Sequence, residues 1–126
     1  MFETILFPVD RSREAWEPSQ LVLELVQQYS SRLVLLSVVA DDAESAAAGA
    51  ELLDKGRSLF EAQGIVPEIV ERQGNPPFAI CDVADEVGAS LIVMGCRGIG
   101  LTPEGAAESV TNRVINLAPC PVLVVP

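Results

Sequence analysis

Leu91-Ile92-Val93-Met94-Gly95-Cys96-Arg97-Gly98 is the stretch that decides the fold, because an apolar run leads directly into a Gly-x-x-Gly sequence. Such a run is typical of a strand that is buried on both faces of a parallel sheet. Glycines let the backbone approach an anion closely, and the free amides of the next helix, predicted to start near Glu108-Ser109, point at it. The stretch therefore indicates either a phosphate cradle or a tight turn that needs a positive φ.

Apolar runs elsewhere in the chain have the length and composition of strands. Residues 33–39 are almost all apolar, as expected of a strand that is covered on both faces. Residues 66–72 alternate and contain Pro67, which is typical of an edge strand. The predicted strands are 5–9, 33–39, 66–72, 90–94 and 122–125.

Stripes of apolar residues at i, i+3, i+4 spacing predict a helix in each interval between strands. The first helix covers residues 12–30 and begins either at Ser12 or near Glu17, with Pro18 at its first position. The third follows the turn at 74–77 and stops at Gly88. The second is alanine-rich, and its predicted core-facing residues are Ala46, Ala50, Leu53, Arg57 and Phe60.

Strands and helices alternate along the chain with short links. Right-handed crossovers then give a doubly wound, five-stranded parallel sheet of order 3-2-1-4-5, with helices on both faces. Strands 1 and 4 lie side by side at the switch point, which places Asp10 across a crevice from the 95–98 stretch. Asp10 is either an acceptor for a ligand's amino or hydroxyl group or a turn residue that bonds its own backbone. The convergence of both features on one crevice points to a nucleotide-sized ligand.

Length and charge narrow the class of protein. The 126 residues suit a single domain, and no apolar run approaches the length of about 20 residues that spans a bilayer. The start lacks a basic segment typical of a signal peptide, so we expect a cytoplasmic protein. A net charge of −10 argues against nucleic acids and anionic membranes as partners.

Histidine and cysteine usage excludes several chemistries. The chain has no histidine, which removes Ser-His-Asp and Cys-His catalysis and histidine metal sites. Cys81, Cys96 and Cys120 are an odd number of cysteines without a Cys-x-x-Cys pair, so we expect reduced thiols. No Walker lysine and no general base are evident. Slow ATP hydrolysis is therefore an alternative that we do not predict, and we expect a protein that is not an enzyme.

The chain resembles the universal stress protein (UspA-like) family along its whole length. The resemblance lies in the strand 5–9 with Asp10, the turn 74–76, the stretch 90–98 and the closing segment 119–125. It implies an adenine nucleotide alpha hydrolase-like fold, with residues 1–126 as a single domain. It also implies a cytoplasmic regulatory protein that binds ATP or another adenine nucleotide, and a homodimer formed through Val122–Val125.

The same resemblance assigns the ligand contacts. Many members bind the nucleotide through Gly-x-x-Gly, nine residues, then Gly-Ser or Gly-Thr; here Gly95, Gly98 and Ser109 keep that spacing. Asp10 and the backbone at Val39 would hold adenine or ribose. The complete set implied for the cofactor is Pro8, Val9, Asp10, Val39, Met94, Gly95, Arg97, Gly98, Ser109, Val110 and Thr111, of which Met94 would line the pocket and Arg97, Gly98 and the last three would face the phosphates.

Two residues depart from the family pattern. Arg11 follows Asp10 where a small residue is usual, and Glu108 replaces the last glycine of the phosphate loop. A carboxylate about 4 Å from a phosphate costs on the order of 4 kcal/mol at an effective dielectric near 20. A bound Mg²⁺ that bridges the two groups reverses this sign. The alternative function is therefore a dimeric interaction module of the same fold that binds no nucleotide.

Overall fold

The computed structural model describes residues 1–10, 16–95 and 106–126, the last segment with side chains from Val110 onward. Five strands and four helices alternate through these residues. Their bounds are β1 Thr4–Pro8, α1 Ser19–Tyr29, β2 Arg32–Val39, α2 Ala43–Glu61, β3 Glu68–Gln73, α3 Pro76–Val87, β4 Leu91–Gly95, α4 Ala106–Leu117 and β5 Val122–Val125. None of the helices in the described part of the chain is both long and apolar enough to cross a membrane.

The strands form one parallel sheet in the order β3-β2-β1-β4-β5, which confirms the predicted order. β1 is central, with Ile5 level with Leu33 of β2 on one side and with Leu91 of β4 on the other. The carboxyl ends of β1, β2 and β4 therefore lie at the same edge of the sheet. This edge is where a doubly wound fold binds its ligands.

Two helices cover each face of the sheet, because successive side chains of a strand point to opposite faces. Ile5 and Phe7 of β1 belong to the core that α1 and α2 cover, together with Val22 and Phe60. Leu6 belongs to the opposite core, which is closed by α3 and α4. The strands are apolar at consecutive positions because both faces are buried.

The predicted core-facing side of α2 was partly wrong. Gly49, Leu53, Gly56 and Phe60 are buried, whereas Ala50 and Arg57 are exposed. The glycines decide the rotation of the helix because there is no room for a side chain beneath them. A Cβ at Gly49 would lie 2.6 Å from the Cγ1 atom of Val39.

Several helices and strands also begin at residues other than the predicted ones. α1 begins at Ser19 with Pro18 as the preceding cap residue, close to the second of the two predicted starts. α4 begins at Ala106, two residues before the predicted start, so Glu108 lies within its first turn. β3 begins after Pro67, whose ring nitrogen cannot donate to a neighbouring strand.

Candidate functional site

A cleft of about 150 Å³ opens beyond the carboxyl ends of β1 and β2, against the first turns of α2. The connection from β2 to α2 contains only three residues, 40–42, so the helix begins at the mouth of the cleft. The lining residues are Asp10, Ser37, Val38, Val39, Ala40, Ser45, Ala48, Gly49 and Leu52.

Asp10 enters the cleft from the tip of the central strand. The Val9 amide donates to the Leu36 carbonyl over 2.8 Å, which extends the pairing of β1 with β2 beyond Pro8. The carbonyl of Asp10 accepts a hydrogen bond from the indole Nε1 of Trp16 at 3.0 Å. The backbone of Val9 and Asp10 is thus held by one hydrogen bond to β2 and one from Trp16.

The first turn of α2, which forms one wall of the cleft (the α2 wall), is held by an N-terminal cap. The Asp42 carboxylate accepts from the Ser45 amide at 2.7 Å and from the Ser45 hydroxyl at 2.9 Å. The hydrogen bond from the Ser45 amide, with that from its hydroxyl, holds the pKa of Asp42 below its usual range. Because the hydroxyl proton of Ser45 is directed at Asp42, the lone pairs of its oxygen remain as acceptors for a ligand.

The cleft combines apolar walls with a few polar groups, as small-molecule sites do. Val39, Ala48 and Leu52 supply apolar surface, while Asp10 and the two serines supply oxygen atoms. Such an arrangement suits a flat ring that carries N–H or O–H donors at its edge. Over residues 1–10, 16–95 and 106–126 no group of three or more Cys, Asp or Glu side chains has the proximity to hold a metal ion.

The cleft brings together two of the predicted site residues, Asp10 and Val39. Pro8 and Val9 are buried at the end of β1, and Met94 and Gly95 are buried at the end of β4. None of these four is among the residues that line the cleft.

The remaining predicted residues are those that the family resemblance assigns to the phosphates. Thr111 is buried, and its hydroxyl lies 3.5 Å from the Gly95 carbonyl, to which it donates. Val110 is partly buried against the α3–α4 core. Ser109 lies on α4, one position after Glu108, and Arg97 and Gly98 lie outside the described residues.

Sequence reasoning missed the wall that α2 contributes. Ser45, Ala48, Gly49 and Leu52 line the cleft at helical spacing, whereas the only residue predicted beyond strands 1 and 4 and the helix after them was Val39. The signal that was available is the short β2–α2 link with small residues just after it. A helix that starts three residues after a strand must pack beside that strand's carboxyl end.

Two of the cysteines, Cys81 and Cys120, lie in the described residues, and neither is in a disulfide. Burial is the main cause that raises the pKa of Cys81, and burial likewise raises the pKa of Cys120. Both belong to the α3–α4 core rather than to the cleft. Cys96, the third cysteine, lies outside the described residues.

A parallel sheet of order 3-2-1-4-5 with helices on both faces defines the doubly wound class of α/β proteins. Within this class the chain belongs to the Universal stress protein family, whose family model matches residues 1–126. Universal stress protein Sll1654 from Synechocystis is 57% identical over 136 aligned positions, which cover 100% of this chain and 87% of that protein.

Solved structures share the fold. Universal stress protein UspA from Lactobacillus plantarum superimposes with a TM-score of 0.87 at 25% identity, over 99% of this chain and 98% of that chain. The universal stress protein from Archaeoglobus fulgidus in complex with dAMP gives a TM-score of 0.81 at 24% identity, over 100% of this chain and 98% of that chain. The predicted family and fold are therefore confirmed.

Asp42→Ala tests the cap that holds the α2 wall. We expect the variant to have a lower free energy of unfolding than the wild type at pH 7, measured by urea denaturation. Because the pKa of Asp42 is lowered by folding, its contribution is present above the unfolded-state pKa, about 3.9. The difference between the two proteins should shrink as pH falls through the lower, folded-state pKa. Asp41→Ala removes a neighbouring exposed charge and serves as the control; an equal, pH-independent loss in both variants would contradict the cap.

Proposed function

We propose that this protein is a regulatory protein that binds an adenine nucleotide at the carboxyl edge of its sheet. The observation that carries the proposal is the cleft in which Asp10 and Val39 lie together. These two residues are the ones that the family resemblance assigns to adenine or ribose. The proposal also rests on membership of the family and on the relative from Archaeoglobus fulgidus that was solved with dAMP.

The adenosine half of the ligand fits the cleft better than a whole nucleotide does. A volume of about 150 Å³ is below the roughly 300 Å³ at which ligand pockets begin. We therefore propose that the ring lies between Val39 and Leu52 and that the Asp10 carboxylate accepts from ligand hydroxyl or amino groups. The phosphates would then extend across β1 toward Gly95, with Pro8, Val9, Met94, Arg97, Gly98, Ser109, Val110 and Thr111 as further contacts.

How strongly the site binds the phosphates of a nucleotide depends on Glu108. The first-turn amides of α4 favour an anion, whereas the added carboxylate of Glu108 opposes one. In our proposal Mg²⁺ accompanies the bound nucleotide when three phosphates are present, because a divalent cation offsets this repulsion. A monophosphate meets less of the repulsion and is the adenine nucleotide most compatible with this chain.

A second candidate function follows from the same residue. If Glu108 itself satisfies the helix dipole, the chain would act as an interaction module of the same fold without nucleotide. We place either form in the cytoplasm and assign it no catalytic role, since the sequence offers no Walker lysine, no histidine and no evident general base. Residues 1–126 would act as one domain.

We further propose a homodimer formed through β5. Val122–Val125 is an edge strand, paired on one side with β4, and Leu123 is exposed. An apolar strand edge of this kind is a ready template for pairing with another chain. A second copy of β5 would cover it.

Asp10→Ala tests the nucleotide site. A hydrogen bond to a charged group is worth about 1.5–3 kcal/mol, so the variant should bind AMP roughly ten- to a hundredfold more weakly by calorimetry. Asp85→Ala removes one exposed carboxylate from α3 and should leave the affinity unchanged. The nucleotide proposal fails if the wild type shows no saturable binding of AMP, ADP or Mg-ATP at millimolar concentration.

Glu108→Gly separates the two candidate functions. Under the nucleotide proposal, the variant should bind ATP more tightly, with a smaller gain for AMP, because the longer phosphate chain meets more of the repulsion. Glu108→Gln, which removes the charge and keeps the size, should give part of this gain. Nucleotide binding that appears only in Glu108→Gly would favour the interaction module. Equal affinities in the wild type, Glu108→Gly and Glu108→Gln would show that Glu108 does not lie near the bound phosphates.

Leu123→Lys tests the dimer. Two copies of the charge would face each other across a paired β5 edge, so light scattering at micromolar concentration should give a dimer for the wild type and a monomer for the variant. Leu59→Lys changes an exposed leucine on α2 and should remain dimeric. A wild-type monomer would contradict the proposed interface.

A further inference from the structure

The Trp16 indole lies at the junction of the central strand, the cleft and α2. Its Nε1 donates to the Asp10 carbonyl at 3.0 Å. Partly buried, it packs against both hydrophobic cores, one on each face of the sheet. A side chain beyond the strand ends can reach both faces, so Trp16 covers the carboxyl edge of the sheet beside the cleft.

We infer that Trp16 is a positioning residue, which fixes the peptide of Asp10 so that its carboxylate faces the bound ligand. This inference rests on the proposed nucleotide function for its ligand. Trp16 does not line the cleft, and so would act through Asp10 rather than by touching the nucleotide. β1 ends at Pro8, so Asp10 lies outside the regular ladder and its carbonyl takes the indole N–H as a partner.

The indole ring packs against Phe7, which in turn packs against Phe60. It meets Phe7 edge to face, with ring centroids 6.2 Å apart and an interplanar angle of 78°. Phe7 meets Phe60 of α2 in the same way, at 6.4 Å and 90°. The three rings form a continuous row from the loop side of β1 to α2, and aromatic rings packed edge to face have a favoured relative orientation.

Gly56 provides the space in which the ring lies. A Cβ at this position would lie 2.8 Å from the Cη2 atom of Trp16 and 3.0 Å from the Cδ1 atom of Leu35. A methyl group there would push the rigid indole away from α2, and with it the N–H that reaches Asp10. The glycine in the middle of a helix is therefore explained by the tryptophan that lies against it.

The geometric part of the inference can be tested without nucleotide. Trp16→Phe keeps an aromatic ring and removes the N–H donor, so the carbonyl ¹³C resonance of Asp10 should move upfield in the free protein. Ser31→Ala is the matched control, because the Ser31 hydroxyl donates to the Phe2 carbonyl at 2.6 Å near the other end of β1. That variant should move the Phe2 carbonyl resonance and leave that of Asp10 unchanged.

The functional part is tested by AMP titration of five proteins: wild type, Trp16→Phe, Ser31→Ala, Asp10→Ala and the double variant of Trp16→Phe with Asp10→Ala. We expect Trp16→Phe to weaken AMP binding at least threefold while Ser31→Ala does not. In the Asp10→Ala background the additional effect of Trp16→Phe should vanish, because the carboxylate that it positions is gone. Additive losses, or an unchanged affinity in Trp16→Phe, would overturn the inference.

A second variant, Gly56→Ala, keeps the inference testable if Trp16→Phe does not fold. Gly56→Ala adds helix propensity while displacing the indole, so it should fold, with its single indole N–H exchanging faster with solvent than in the wild type. An unchanged exchange rate would show that the ring does not depend on Gly56. If the wild type binds none of AMP, ADP and Mg-ATP, the proposed function fails, and the Asp10 carbonyl shift alone still decides whether Trp16 holds that carbonyl.

Discussion

The burial of the central strand on both faces is the constraint on which the rest of the structure depends. All five residues of β1 are buried, with Ile5 and Phe7 facing the α1–α2 side and Leu6 facing the α3–α4 side. Each such side chain contributes about 1.5–3 kcal/mol of hydrophobic stabilisation. A strand that is covered on both faces and both edges can offer only its end to a ligand, and that end is Asp10.

The cleft exists because α2 begins just beyond the end of β2 and packs back against the sheet. A three-residue link brings the helix to the end of β2, and Gly49 and Gly56 leave room for the side chains of Val39, Trp16 and Leu35 beneath the helix. Gly49 opens onto the cleft, whereas Gly56 receives Trp16. The close packing of α2 that completes the α1–α2 core therefore also forms one wall of the cleft. It holds Trp16, whose indole donates to the Asp10 carbonyl.

The fold was predictable because consecutive apolar positions allow only strands that are buried on both faces, and short links then restrict the topology. Asp10 and Val39 were predictable from their places at strand ends and from the family resemblance. The α2 wall was not, because apolar periodicity gives no weight to Gly49 and Gly56, whose burial depends on the neighbours Val39, Trp16 and Leu35. The predicted start of α4 near Glu108-Ser109 was two residues late, because the alanines at 106 and 107 carry no polar side chain that marks a helix start.

The most direct test of the account is a backbone ¹⁵N–¹H titration of the wild-type protein with AMP, with assigned resonances. The account predicts saturable shifts at Asp10, Val39 and Ser45, which surround the cleft, together with the indole N–H of Trp16. Resonances near Phe2, at the opposite end of β1, should stay in place. No saturable shift with millimolar AMP, nor with ADP or Mg-ATP in its place, or shifts confined to residues away from the cleft, would contradict the claim that this edge of the sheet binds an adenine nucleotide.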